Sequence, residues 1–126
     1  MEVSSIVAHV LVVDDQADWR STLRDLTRAI PELTVIGEAA SGEEALDAAA
    51  RLEPELVLMD VRMPGMDGFA ASRQLTERNP STVVMLISVD GRDAEAVRAS
   101  GAAAVIRKQE LSTRALADAW RAHRPR

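Results

Sequence analysis

The sequence predicts one α/β domain, a five-stranded parallel sheet with helices on both faces. Five short runs rich in Val, Ile and Leu recur at 10–13, 34–39, 56–59, 83–87 and 103–106. The first, third and fourth lack polar alternation, which is how strands buried on both faces read. Stretches with helical spacing lie between the runs, and this alternation of strand and helix makes the sheet parallel. The 126 residues suffice for one core and are too few for a second of ordinary size.

The first strand lies in an apolar segment, Ile6 to Val13, that His9 interrupts. That segment falls far short of the roughly twenty residues of a membrane span. In the first helix Trp19, Leu23, Leu26 and Ile30 form one apolar stripe, with Arg20, Arg24, Asp25 and Arg28 off it. After the second strand, Ser41 reads as an N-cap, followed by Glu43 and Glu44, acids suited to the positive end of a helix. This second helix runs through Ala45, Ala48, Ala49 and Leu52 and stops before Pro54. The third helix is expected from the alternation alone, and Asp67-Gly68 reads as a turn. A short fourth helix, Asp93 to Ala99, is closed by Gly101. The fifth carries Leu111, Ala115, Leu116, Ala119 and Trp120 and ends before Pro125. The segment Arg121 to Arg126 is polar and basic, expected as a solvated end or the start of a linker.

Composition excludes several classes. Hydrophobic content of 47% with 28% charged residues is that of a globular chain. Twenty acids against 15 Lys and Arg give a net charge of −5, which argues against direct nucleic-acid binding. The absence of Cys removes disulfides, thiolate chemistry and Cys-type zinc sites. A basic leader region and a small-residue cleavage site are both missing, so no signal peptide and a cytoplasmic location are expected.

Chemistry concentrates where the strands end. The first strand runs into Asp14 and Asp15, the third into Asp60, the fourth into Ser88 and the fifth into Lys108. In doubly wound sheets ligands sit beyond the carboxyl ends of the strands. Carboxylates gathered there repel: at about 4 Å and an effective dielectric near 20, each ionised pair costs about 4 kcal/mol. Either their pKa values rise or a cation sits among them. Oxygen-only donors favour a hard cation, and a site open to water favours Mg²⁺. A carboxylate beside Mg²⁺ and a lysine can attack a phosphoryl group, the cations offsetting charge on the transferring oxygens. Singly, each residue has an ordinary use: Asp-Asp as a helix cap, Ser as a turn residue, Lys as a solvated charge. Their convergence on one sheet edge sets them apart.

Four motifs then resemble a known family, the receiver domain of two-component response regulators. They are Val-Val-Asp-Asp at 12–15, Met-Asp-Val-Arg-Met-Pro-Gly-Met-Asp-Gly at 59–68, Ser88, and Lys108. The resemblance runs from Val10 to about Trp120, and it places a receiver at 1–122 with 123–126 as a basic tail or the start of a linker. Gly37-Glu38-Ala39 and Ser41-Gly42-Glu43-Glu44-Ala45-Leu46 are most similar to receivers that precede helix-turn-helix output domains. The family implies a flavodoxin-like (βα)5 fold with strand order 2-1-3-4-5. It implies Asp60 as phosphoacceptor, attacking the phosphohistidine of a sensor histidine kinase or phosphotransfer protein. Mg²⁺ would be held directly by Asp15, Asp60 and the Arg62 backbone carbonyl, with Asp14 acting through water. Lys108 would pair with the acyl phosphate and Ser88 would hydrogen-bond a phosphoryl oxygen. Such a domain assists its own phosphotransfer and slow hydrolysis without being an enzyme in the usual sense. An output domain, an effector protein and a second copy of the chain are the further partners the resemblance allows.

The chain departs from the family pattern at three positions. Val105 stands where an aromatic usually turns inward on activation, and reads here as a core-edge strand residue. Val89 replaces the usual Ala or Gly after Ser88 and is expected to narrow access to Asp60. Gln109 replaces a proline commonly preceded by a cis bond, so a trans bond is expected, the cis form costing about 2.5–4 kcal/mol without proline. Arg62 and Asp90 should flank the site, their opposite charges inviting an ion pair across its mouth. Arg92, Arg98, Arg107 and Arg114 would put positive charge near the family's usual output face.

Three competing classes remain. A receiver that signals by protein contact without phosphate draws on Val105 and Val89, but the complete set Asp14, Asp15, Asp60, Ser88 and Lys108 weighs against it. An aspartyl-nucleophile phosphatase would want an acid two residues after Asp60, where Arg62 stands. A flavin-binding protein would want a Ser/Thr/Gly-rich phosphate loop in place of Asp14-Asp15-Gln16-Ala17-Asp18.

Overall fold

The computed structural model describes residues 7–90 and 94–125, so Ile6, Arg92, Asp93 and Arg126 of the sequence expectations lie outside the described residues. In chain order the elements are β1 (Ala8–Val13), α1 (Ala17–Arg28), β2 (Leu33–Ala39), α2 (Gly42–Leu52) and β3 (Leu56–Asp60). There follow α3 (Gly68–Arg78), β4 (Val83–Ser88), α4 (Ala94–Ala99), β5 (Ala104–Arg107), a 3₁₀ turn at Lys108–Glu110, and α5 (Thr113–His123). The sheet has the order β2-β1-β3-β4-β5 and every pairing is parallel, as the family resemblance implied. No helix among the described residues is long and apolar enough to cross a membrane.

Both faces of the sheet are buried. Val10, Val12, Leu58, Met85 and Ile87 pack with Leu23 of α1 and Leu116 and Trp120 of α5. The alternate residues Leu11, Val13, Val57, Met59 and Leu86 pack with Ala45, Leu46 and Ala49 of α2 and Ala71 and Leu75 of α3. Every residue of β3 and β4 is buried, which explains their unbroken apolar runs.

Side-chain caps set the helix starts. Ser41 Oγ accepts from the Glu44 N–H at 3.1 Å, Asp67 Oδ1 from Ala70 at 2.9 Å, and Ser112 Oγ from Ala115 at 3.0 Å. Asp67-Gly68 is therefore more than a turn: it opens α3. A Cβ on Gly68 would collide with the Asp60 carbonyl oxygen, so this glycine lets α3 start directly beneath the end of β3.

The structure alters three details. Trp19 and Leu26 are only partly buried while Leu23 and Thr27 are fully buried, so the α1 stripe facing the core is narrower than the spacing suggested. Ile30 is buried beyond the helix end, and Leu111 precedes α5 instead of opening it. Finally, α5 continues through His123, and Arg121 is fastened to Glu32, so the departing segment begins later than Arg121.

Candidate functional site

The parallel sheet brings the carboxyl ends of β1, β3, β4 and β5 to one edge. Asp14 and Asp15 follow β1, Asp60 and Ser88 are the last residues of β3 and β4, and Lys108 follows β5. Register locks these positions together: Asp60 pairs with Ile87, and Ser88 pairs with Arg107. All five residues predicted from strand ends thus meet at one edge.

The acids crowd. Asp14, Asp15 and Asp60 each present a carboxylate oxygen within 4.8 Å of the other two. Asp14 is fully buried, Asp60 is 4% exposed, and Asp15 reaches solvent. Asp14 Oδ1 accepts the Gln16 N–H at 2.9 Å, whereas buried Asp14 Oδ2 has no hydrogen-bond partner among the described residues. Lys108 Nζ lies 3.4 Å from Asp60 Oδ1 and 3.8 Å from Asp14 Oδ2. Burial, then the charge of Asp14, pushes the Asp60 carboxyl up to about 6 despite the opposing Lys108. Burial also raises Asp14, against the Gln16 N–H and Lys108.

Among the described residues Lys108 is the cation within 4 Å of these carboxylates, with Arg20 acting on Asp14 from farther away, so three acids crowd around little positive charge. An orphaned buried carboxylate oxygen beside two further acids, with no nitrogen or sulfur donor among the three, fits a hard divalent cation.

Around the mouth, Arg62 Nη2 donates to Asp90 Oδ2 at 3.0 Å, the ion pair expected from sequence. Both side chains are more than 60% exposed. Some desolvation of Asp90 pushes upward, but the Arg62 guanidinium, its own N–H and the Ser88 hydroxyl hold its carboxyl below the usual value. Ser88 is buried and its Oγ donates to Asp90 Oδ1 at 3.3 Å. Val89 is 54% exposed at this rim. Val105 is partly buried and packs against the α2–α3 core, as expected of a strand-edge valine.

Two residues near the site escape a reading of the sequence. Trp19, which falls on the core stripe by spacing, lays its ring under Lys108, with Nζ 4.6 Å from the ring centroid. Its position four residues after Asp15, in the first turn of α1, was the available signal. Gln109 stands out in sequence only for the proline it replaces. Among the described residues no peptide bond is cis. With the Gln109 amide nitrogen turned toward β4, it donates to the Val89 carbonyl at 3.2 Å while its oxygen accepts from Arg107 Nη2 at 3.0 Å. The side chain therefore links the segments that carry Ser88 and Lys108.

Comparison with known proteins agrees with this architecture. The sequence model of the response regulator receiver domain matches residues 10–120. A protein-glutamate methylesterase/protein-glutamine glutaminase of Methanospirillum hungatei is 40% identical over 105 residues, covering 79% of this chain and 29% of that protein. The nitrate/nitrite response regulator NarL of Escherichia coli is 35% identical over 92 residues, covering 73% of this chain and 43% of its own. The chain thus spans less than half the length of these two relatives. Among solved structures, the response regulator domain of Thermotoga maritima CheB superimposes with a TM-score of 0.74 at 34% identity, covering 89% of each chain.

Proposed function

Because the chain belongs to the receiver-domain family of two-component response regulators, we propose that it is a phosphoacceptor switch, taking a phosphoryl group from a histidine kinase or phosphotransfer protein onto Asp60 with the help of Mg²⁺. The observation that carries this reading is the buried Oδ2 of Asp14, which accepts no hydrogen bond among the described residues, beside Asp15, Asp60 and Lys108. Asp14, Asp15, Asp60 and the Arg62 backbone carbonyl would hold the cation. Bound there, Mg²⁺ would relieve the mutual repulsion of the three acids and neutralise developing charge on phosphoryl oxygens.

The chain's own residues supply the rest. A carboxylate oxygen of Asp60 attacks phosphorus as the bond to the donor's imidazole nitrogen breaks, leaving an acyl phosphate on Asp60 and the imidazole on the donor. Lys108, already 3.4 Å from Asp60, turns its ammonium to the incoming phosphoryl oxygens. Ser88 exchanges Asp90 for a phosphoryl oxygen, drawing the end of β4 inward. Its backbone neighbour Val89 is tied to Gln109, so this movement reaches the turn after β5 without an aromatic at 105. The Arg62–Asp90 pair covers the mouth and slows attack of water on the acyl phosphate. The output is set by what the receiver is joined to or meets, since relatives as different as a methylesterase and NarL carry such a domain.

Intact mass after incubation with acetyl phosphate tests the proposal. Gain of one phosphoryl group requiring both Mg²⁺ and Asp60, lost with chelator and in Asp60→Asn, is the expected result. Absence of any gain in the wild-type chain would favour a receiver that acts by protein contact alone.

A further inference from the structure

We propose that Trp19 is a positioning residue for this phosphotransfer, its ring face holding the Lys108 ammonium above the Asp14–Asp60 pair. This deepens the phosphoacceptor reading and rests on it.

The chain's two tryptophans do different work. Trp120 is 5% exposed and fills the core between the sheet, α1 and α5. Trp19 belongs to neither apolar core, although it is partly buried. Its ring instead meets a residue of the functional site: Lys108 Nζ stands 4.6 Å from the ring centroid. The helix beneath is firmly seated. Leu23 and Thr27 are buried, Thr27 Oγ donates to the Leu23 carbonyl at 2.6 Å, and Arg20 Nη1 donates to the Asp14 carbonyl at 2.7 Å. The ring is therefore presented by a rigid element attached to the first acid of the cluster.

Lys108 needs such a support. Its four-carbon stem is flexible, and its ammonium carries three rotatable donors. Its side chain is only 12% exposed, so little water solvates the charge. The distances of 3.4 Å and 3.8 Å to Asp60 and Asp14 are longer than tight charged hydrogen bonds, so the carboxylates alone do not lock the ammonium. The negative face of the indole supplies further attraction and replaces lost hydration. Attraction to a ring face has no single direction, unlike a hydrogen bond. The ammonium can pivot from the Asp60 carboxylate toward phosphoryl oxygens without leaving the ring. A leucine at 19 would fill comparable space but present no negative face.

The test compares Trp19→Leu and Trp19→Phe, each with Lys108 intact and in a Lys108→Ala background, by rate of phosphoryl gain from acetyl phosphate at saturating Mg²⁺. Trp19→Leu is expected to slow the reaction about fivefold and Trp19→Phe less than twofold, with matching unfolding midpoints for the two variants. In the Lys108→Ala background the leucine should cause no further loss. In the wild-type chain the Lys108 ε-methylene protons should be shifted upfield by the ring current, a shift absent from Trp19→Leu. Equal rates for Trp19→Leu and wild type would overturn this inference, as would equal losses for leucine and phenylalanine or a full loss persisting without Lys108. A wild-type chain that gains no phosphoryl group would instead overturn the phosphoacceptor reading, and this inference with it.

Discussion

Glu32 and Asp60 both face cations, yet their titrations move in opposite directions. Glu32 lies at the amino edge of the sheet, just before β2, where Arg121 grips its carboxylate with two hydrogen bonds of 2.7 and 3.0 Å and Arg124 stands at 3.8 Å. One acid meets two guanidiniums there, and the hydrogen bonds from Arg121 hold its carboxyl below the usual range. Asp60 lies at the carboxyl edge, where three acids share one ammonium and burial pushes its carboxyl up to about 6. The first cluster is complete as it stands and fastens α5 to the α1–β2 connection. The second is left short of positive charge, which a divalent cation would supply. The contrast separates an ion pair whose charges are met from a cluster whose charges are not.

The largest effect is expected at Asp60. Its folded pKa lies above the unfolded value, so ionisation opposes folding: the penalty is absent below about pH 4, grows through about pH 6 and is complete above it. Removing the charge in Asp60→Asn should therefore stabilise the chain in chelator at pH 7.5 by about 2–3 kcal/mol, each tenfold change in proton affinity being worth roughly 1.4 kcal/mol. Urea unfolding at pH 7.5, 5 and 3.5 should show that gain shrinking to almost nothing. A gain independent of pH would break the contrast.

Glu32→Gln should act with the opposite sign and more weakly, because the pair is only partly buried and solvent screens it. Its folded pKa is lowered, so the stability it contributes is present above the unfolded value and lost as pH falls through the folded one. The variant should unfold earlier than wild type at pH 7 and coincide with it in strong acid. At the site's mouth, Arg62→Ala should shorten the acyl-phosphate lifetime about threefold, the scale on which an exposed ion pair acts. An unchanged lifetime would remove the shielding role. Smallest is Val89→Ala, which should speed phosphorylation from acetyl phosphate about twofold by opening the rim, and equal rates would remove that role too.

Most of the site was legible because strand ends are legible. Unbroken apolar runs fixed where β1, β3 and β4 stop, and a parallel sheet then carries Asp14, Asp15, Asp60 and Ser88 to one edge. Trp19 was misjudged because helical periodicity reports which residues share a face, and the face of α1 near its start looks onto the site before it looks onto the core. Gln109 escaped because its partners, Val89 and Arg107, depend on neighbouring strand ends. Asp67-Gly68 carried a turn signal, but only the packed structure shows Gly68 against the Asp60 carbonyl. Arg121 looked like part of a tail because its partner Glu32 is 89 positions away in sequence. Local pattern placed the backbone; partners at long range required the fold.

Thermal unfolding in Mg²⁺ and in chelator, for wild type, Glu32→Gln and Asp60→Asn, tests the central contrast most directly. A cation that binds only the folded chain stabilises it by about 2.7 kcal/mol at a hundredfold excess over Kd. The account predicts that Mg²⁺ raises the midpoints of wild type and Glu32→Gln by the same several degrees, and that Asp60→Asn shows less than a third of this rise. A wild-type midpoint indifferent to Mg²⁺, or an equal rise in Asp60→Asn, would contradict it.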